Sequence, residues 1–223
     1  MIPTIDYGNS FKQGPDGLVP SGWAGKTAAT WSPTDKTTNM SLSGADLVAT
    51  ATGSTFEAIR STKNNFNTST GGKFFWKITL DSIGGSGDCL VGLLRTADAI
   101  VSGGTWDNAA FQYALWRDNN QIRAKQWVAV PASLPVYTAP ASLWFALDIP
   151  NRLFFTGLNG VWNNSGDPVG GTGESFNSMP IGENFAPVFR TDNTAGTTQT
   201  TLISDWQSLL ADCPSGYTAG LPV

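Results

Sequence analysis

Between Trp31 and Phe189 the chain is cut into strand-sized pieces, and WSPTDK, GGKFFWKITL, LVGLLR, LWFALDI and RLFFTGLNGVW follow one another with turn residues between them. Pieces of this length, rich in aromatic and aliphatic residues, pair as strands. A helical period nowhere persists beyond about two turns, the best candidate being Ile203 to Ala211. No unit of about 20 to 50 residues recurs, which sets aside propellers and solenoids. The chain is therefore expected to be all-β, an antiparallel sandwich. Its 223 residues are enough to bury roughly 70% of the unfolded surface.

The pieces assign themselves one by one. In Gly72 to Leu80 the alternation puts Phe74, Trp76, Ile78 and Leu80 on a core face and Lys73, Phe75, Lys77 and Thr79 on a partly wet one. Asn39 to Thr52 reads as a hairpin turning at Ser43-Gly44-Ala45-Asp46, and Phe56 to Thr62 as a short strand. Cys89 to Leu94 suits a strand buried on both faces. Phe111 to Trp116 and Gln121 to Val130 form a hairpin across Arg117-Asp118-Asn119-Asn120. Leu143 to Ile149 and Arg152 to Leu158 are joined by Pro150-Asn151, and Asn159-Gly160 turns the chain back into Val161-Trp162. Asn163 to Pro180 is a Gly- and Asn-rich excursion of a length associated with function or mobility. Phe185 to Phe189 and Thr200 to Trp206 supply the last strands. Residues 1–28 contain Pro3, Pro15 and Pro20 among glycines and short polar residues, a composition for an extended arm, and residues 29–223 form the sandwich.

Composition removes several function classes. Charged residues are only 13% of the chain and the net charge is −4, so the clustered cations that nucleic acid requires are missing. The chain has no His, and with it go the commonest general base and the commonest transition-metal ligand. No apolar run approaches the ~20 residues of a membrane span, and the opening stretch lacks a basic region followed by an apolar core. Assembly in a host cytoplasm without membrane insertion is expected. Cys89 and Cys213 are too few for a disulfide framework or a zinc cluster; they are either buried free thiols or one bridge pinning the tail.

Four blocks in order carry a family resemblance: Gly72-Lys73-Phe74-Phe75-Trp76-Lys77-Ile78, Val91-Gly92-Leu93, Trp144-Phe145-Ala146-Leu147-Asp148, and Leu153-Phe154-Phe155 with Asn159-Gly160. They resemble the SPRY pattern, with Lys77 where that family usually has an acid and one or two extra residues before Asn159. Two outer signatures narrow it: WSPTDK with SLSGADLVATATG and Ile59-Arg60-Ser61-Thr62, and a tail Pro214-Ser215-Gly216-Tyr217 closing at Leu221-Pro222. With these the chain is similar to the SPRY-like, concanavalin-like domains of bacteriophage virion and tail-fibre-type proteins over residues 30–223. The resemblance implies a SPRY-like/jelly-roll β-sandwich with an extended N-terminal arm, and a structural protein on the outside of a particle.

Candidate chemistry is sparse. Glu57, Glu174 and Glu183 are the only glutamates, and no paired-carboxylate strand pattern of a glycosidase is present. Asp167 and Glu174 read as solvated loop carboxylates. Asp118-Asn119-Asn120 resembles the start of a calcium loop but lacks its later carboxylate. Gly84-Gly85-Ser86-Gly87 is a turn, since no Lys and no helix follow it. Neither a catalytic residue, a metal site nor a cofactor is expected.

Tryptophan is the suggestive binding chemistry, because indole joins a large apolar face to a polar N–H. Trp76 belongs in the core by strand phase, and Trp31 and Trp206 where the sandwich closes. Trp106, Asp107, Trp116, Arg117, Trp162 and Asn163 are the candidate ligand patch, since the resemblance places recognition on loops at one end of the sandwich. The plainer alternative is core and subunit interface. The arm, through Ile2, Ile5, Tyr7, Phe11 and Leu18, is the candidate anchor to capsid or tail proteins. The expectation is a non-enzymatic virion protein, a homo-oligomer in the particle, contacting host surface glycan. The alternatives are a decoration protein touching only other virion subunits, and a polysaccharide-acting enzyme or metal-dependent lectin.

Overall fold

The computed structural model describes residues 11–14, 17–20, 23–52, 56–69, 71–84, 88–100, 112–116, 121–124, 128–130, 137–192 and 196–223. Residues 11–20 lie inside the stretch read as an arm, and their two strands, β1 (Phe11–Gly14) and β2 (Gly17–Pro20), pair with each other.

The remaining strands form two antiparallel layers. One layer contains β3 (Trp31–Lys36), β6 (Phe56–Ser61), β7 (Phe66–Asn67), β9 (Asp88–Arg95), β10 (Gln112–Trp116), β11 (Gln121–Ala124), β12 (Val128–Val130) and β16 (Asn184–Asp192). Its order is β12-β11-β10-β9-β16-β6-β3, with β7 also on β16. The other contains β4 (Met40–Ser43), β5 (Val48–Ala51), β8 (Lys73–Ser82), β13 (Ala141–Asp148), β14 (Leu153–Leu158), β15 (Val161–Trp162), β17 (Thr198–Ile203) and β18 (Thr218–Ala219). Its order is β15-β14-β13-β8-β17-β5-β4, with β18 running parallel on β8. The expected β-sandwich is the fold. The best helical candidate shrinks to a single turn, α1 (Trp206–Leu209), capped where Asp205 accepts from the Ser208 N–H at 2.9 Å.

The core lies between the layers and is aromatic at one end. Trp76 stacks on Phe145, Phe154 and Phe66 with centroids 5.4, 6.0 and 5.6 Å away. Phe176 continues the stack from Phe154 and meets Tyr113 edge-on at 5.2 Å. Both sheets thus contribute to one aromatic column, and each pair adds about 0.5–1.5 kcal/mol beyond its burial.

The outer signatures are clamps. Between Trp31↔Ser61 and Lys36↔Ile59 the register of β3 against β6 shifts, so Ser32-Pro33-Thr34-Asp35 bulges. Ser32 Oγ accepts from the Asp35 N–H at 3.0 Å, which turns Asp35 onto Arg60, 2.7 Å away. Arg60 also donates to the carbonyls of Arg95 and Asp98 at 3.0 and 2.7 Å, tying β3, β6 and the end of β9 together. At the other terminus, β18 fills the lane beside β8 that β17 leaves after Ile203, and the Gly220 N–H bonds the Phe75 carbonyl at 2.7 Å. Tyr217 is buried there and donates its hydroxyl to the Pro168 carbonyl at 3.2 Å.

Residues 23–30 pack on this tail. The Trp23 indole donates to the Ala219 carbonyl at 2.7 Å, Ala28 bridges Pro222, and the Ala29 N–H bonds Leu221 at 2.9 Å. Trp23, Ala28 and Ala29, inside the stretch read as an arm or next to it, are thus built into the sandwich.

Candidate functional site

One end of the sandwich opens into a cleft of about 450 Å³ lined by Thr68, Ser69, Gly71, Ile149, Pro150, Arg152 and Ile181. Its floor is the turn between β13 and β14. Asp148, buried at the end of β13, accepts from the Asn151 backbone and side chain at 3.1 and 2.9 Å and from Lys73 Nζ at 2.7 Å. That bracing drives Arg152 to φ +60°, while its N–H returns to the Ile149 carbonyl at 3.1 Å. A bulky residue in the left-handed region costs about 1 kcal/mol or more, so the surroundings hold Arg152 in place.

The guanidinium is fixed at one corner only. Nε donates to the Met179 carbonyl, and among the described residues no group bonds the two Nη atoms, which stay open to solvent. Thr68 Oγ1 is engaged with Glu183, whereas Ser69 Oγ has no partner among the described residues. Ile181 is 68% exposed on the rim. A cation with a free edge, a hydroxyl and an apolar lip together suit a carboxylate carried beside an apolar group. The charge of Arg152 is felt by Tyr113 in the core: burial pushes its phenol up to about 12, with Arg152 pulling the other way.

The sequence-nominated patch is only partly placed. Trp106, Asp107 and Arg117 lie outside the described residues, as do Ile2, Ile5 and Tyr7 of the arm. Trp116 ends β10, whereas Trp162 is on β15, so they belong to different sheets. Phe11 and Leu18 sit on β1 and β2. Asn163 is turned inward: it is 9% exposed and its amide donates to Thr156 Oγ1 at 2.9 Å. The excursion from Asn163 to Pro180 is stitched to β14 by Ser175 and Phe176, whose N–H groups both bond the Phe154 carbonyl at 3.0 Å.

Trp162 has a neighbour that strand phase alone would single out. In β13 the residues Leu143, Phe145 and Leu147 face the core, so Trp144 faces out. Register aligns Lys77, Trp144, Gly157 and Trp162 in one row across β8, β13, β14 and β15. A Cβ at Gly157 would sit 3.2 Å from the Trp162 ring and 3.3 Å from Trp144 Cβ. With no side chain between them the two half-buried indoles close to 5.7 Å at 76°, both resting edge-on against buried Phe75. Lys77 Nζ lies 4.9 Å from the Trp144 ring centroid and pairs with Asp212.

The carboxylates singled out in the sequence are bonded locally. Glu57 is buried and accepts from Asn39 Nδ2 at 2.8 Å, Glu183 pairs with Arg95 at 3.3 Å, and Glu174 takes Asn177 Nδ2 at 2.9 Å. Asp167 accepts from the Val169 N–H at 3.1 Å. Among the described residues no three His, Cys, Asp or Glu side chains gather as a metal would need. Cys89 and Cys213 are both free thiols.

No family model and no curated protein matches the chain. Its structural relatives include SPRY domains. The SPRY domain of human HERC1 superposes with a TM-score of 0.60 at 11% identity, covering 78% of this chain and 96% of that one. The PSpry domain of TRIM65 gives 0.56 at 13%, covering 80% and 93%, and a human SPRY domain 0.54 at 10%, covering 74% and 95%. At these identities the likeness is one of fold.

Proposed function

We propose that this chain is a non-enzymatic binding module displayed on the outside of a phage or phage-like particle, docking a virion partner at one end of its sandwich and meeting host surface glycan with another part. The observation that carries the binding role is the Arg152 cleft, where an Arg held against its backbone preference presents an open guanidinium beside Ser69 and Ile181. Such a conformation persists where the surroundings over-determine it, as the Asp148 bonds of this hairpin turn do, and it holds the guanidinium at a fixed place on the cleft. The fold is that of SPRY domains, which as a family bind proteins. The virion setting is supported by the opening and closing motifs, and the stretch ahead of Trp23, with its prolines and glycines, is the proposed anchor.

The partner segment suited to this cleft carries a carboxylate next to an aliphatic group. Arg152→Gly is the informative variant, because Gly accepts φ +60° and removes only the cation and its bond to Met179. Particles of the encoding phage, purified on a density gradient, are expected to contain the chain. Complementation with Arg152→Gly, or with a chain lacking residues 1–20, should yield a folded protein that no longer incorporates. Particles without the chain would overturn the virion role, and normal incorporation of Arg152→Gly would overturn the role of the cleft.

A further inference from the structure

We infer that the Trp144–Trp162 pair is a binding platform for a neutral pyranose ring. The inference rests on the glycan-contacting role just proposed and gives it a place, on the outer face of the β8-containing sheet and away from the Arg152 cleft.

Two indoles meeting at 76° with centroids 5.7 Å apart form a corner rather than a flat wall. Phe75 supports both from below, and Gly157, which puts no side chain between them in the row, lets the two rings close on each other and turn their outer faces to solvent. The C–H face of a sugar fits such a corner, and its hydroxyls need donors and acceptors around it. The rim supplies them. Among the described residues the Trp162 indole N–H has no partner and remains open to solvent. Asn159 spends its Oδ1 on the Ser142 N–H at 2.8 Å, and among the described residues its amide donor has no partner. The Asn159-Gly160 turn, with φ +49° and +88°, leaves Gly160 without a side chain beside the Trp144 ring.

Charge selects the ligand class. Lys77 is the cation over this surface, and Asp212 neutralises it internally. An anionic sugar or acidic peptide would have to compete with Asp212, whereas a neutral ring would not. A proline-rich peptide needs a groove between parallel aromatic ridges, which a pair at 76° does not make.

The test uses the purified full-length chain with cellohexaose and maltohexaose as probes and decaproline as competitor. Saturation-transfer NMR should show the chain touching the C–H protons of at least one glucan, and the wild-type Trp162 indole N–H resonance should shift saturably. Trp162→Phe, judged folded by near-UV circular dichroism, should weaken binding, and Trp144→Ala with Trp162→Ala should weaken it roughly tenfold or more. Arg152→Gly should bind like wild type. Absence of transfer to both glucans at millimolar concentration, transfer undiminished in the Trp variants, or displacement by decaproline would each overturn the inference. Particles that carry the chain while neither glucan binds would remove this site alone. Glucan binding by a chain absent from particles would keep the site and remove the virion role.

Discussion

Gly92→Ala should be among the most damaging one-carbon changes available in this chain. Gly92 is the glycine of Val91-Gly92-Leu93, opposite Ala114 on β10 and Val188 on β16. A Cβ there would lie 2.1 Å from the Tyr113 carbonyl oxygen and 2.6 Å from Ala114 Cα. Ordinary carbon–oxygen contacts begin near ~3.3 Å, so β10 would have to retreat by about 1 Å. Both obstructing atoms are backbone, so no rotamer change relieves the clash. The cost belongs at the top of the overpacking range, about 3 kcal/mol, which for a chain of this size lowers Tm by roughly 6–12 °C. Gly71→Ala is the control: nothing lies within 4 Å of its Cβ, and it should be neutral or up to ~1 kcal/mol stabilising. Urea unfolding of the three proteins, followed by tryptophan fluorescence, decides the matter. A Gly92→Ala midpoint within about 0.5 kcal/mol of wild type at unchanged m would refute the steric account.

Three further outcomes follow from particular groups. Arg60→Met should cost about 3 kcal/mol, because a buried guanidinium and its bonds to two part-buried carbonyls are lost together, while Asp35→Asn should cost only about 1 kcal/mol, since Asp35 is 43% exposed; equal losses in urea melts would show that the ion pair, not the carbonyl contacts, holds the bulge. Burial pushes the Cys213 thiol and the Tyr113 phenol up to about 12 and raises Tyr217 as well. These groups stay protonated in the fold but ionise near ~9 and ~10 when it is lost. Their contribution is thus complete below about pH 9 and disappears as pH climbs toward 12; a Tm unchanged between pH 8 and about 11 would contradict it. At pH 8 neither Cys89 nor Cys213 should react with a disulfide reagent within minutes, and both should react in guanidinium; rapid labelling of the native chain would mean that the tail over Cys213 opens readily.

The strands were legible because their signal is local. The blocks around Trp76, Gly92, Phe145 and Phe154 all lie in strands, and Asn159-Gly160 takes the two positive φ values its residues favour. Alternation failed where a second layer covers a face. Phe75, read as partly wet, is fully buried under Trp144 and Trp162, while Phe74, read as core, is only half-buried near the strand end. The same alternation, applied to β13, does point Trp144 outward, a signal available in the sequence beside Leu143 and Phe145. The anchoring of the long loop was not legible, since its composition is polar and its attachment depends on single residues such as Phe176 and Met179. Nor was the Arg152 cleft, because a positive φ at an Arg is imposed by Asp148 and Asn151 from outside the residue itself.

A division of labour follows from where the recognisable words of the sequence ended up. WSPTDK and IRST meet at Asp35 and Arg60, the tail motif buries Tyr217 against Pro168, and Gly92 admits the backbone of β10. Each is spent holding the sandwich together, and at 10–13% identity the SPRY domains that superpose on this chain share its scaffold. Groups with unspent chemistry among the described residues, such as Arg152 Nη, Ser69 Oγ, the Trp162 N–H and the Asn159 amide, sit between those motifs or at their exposed ends. Those motifs therefore report the scaffold, and the ligand specificity of this chain should be sought in the turn after β13, in the partner of Gly157 on β15, and in the residues that face them.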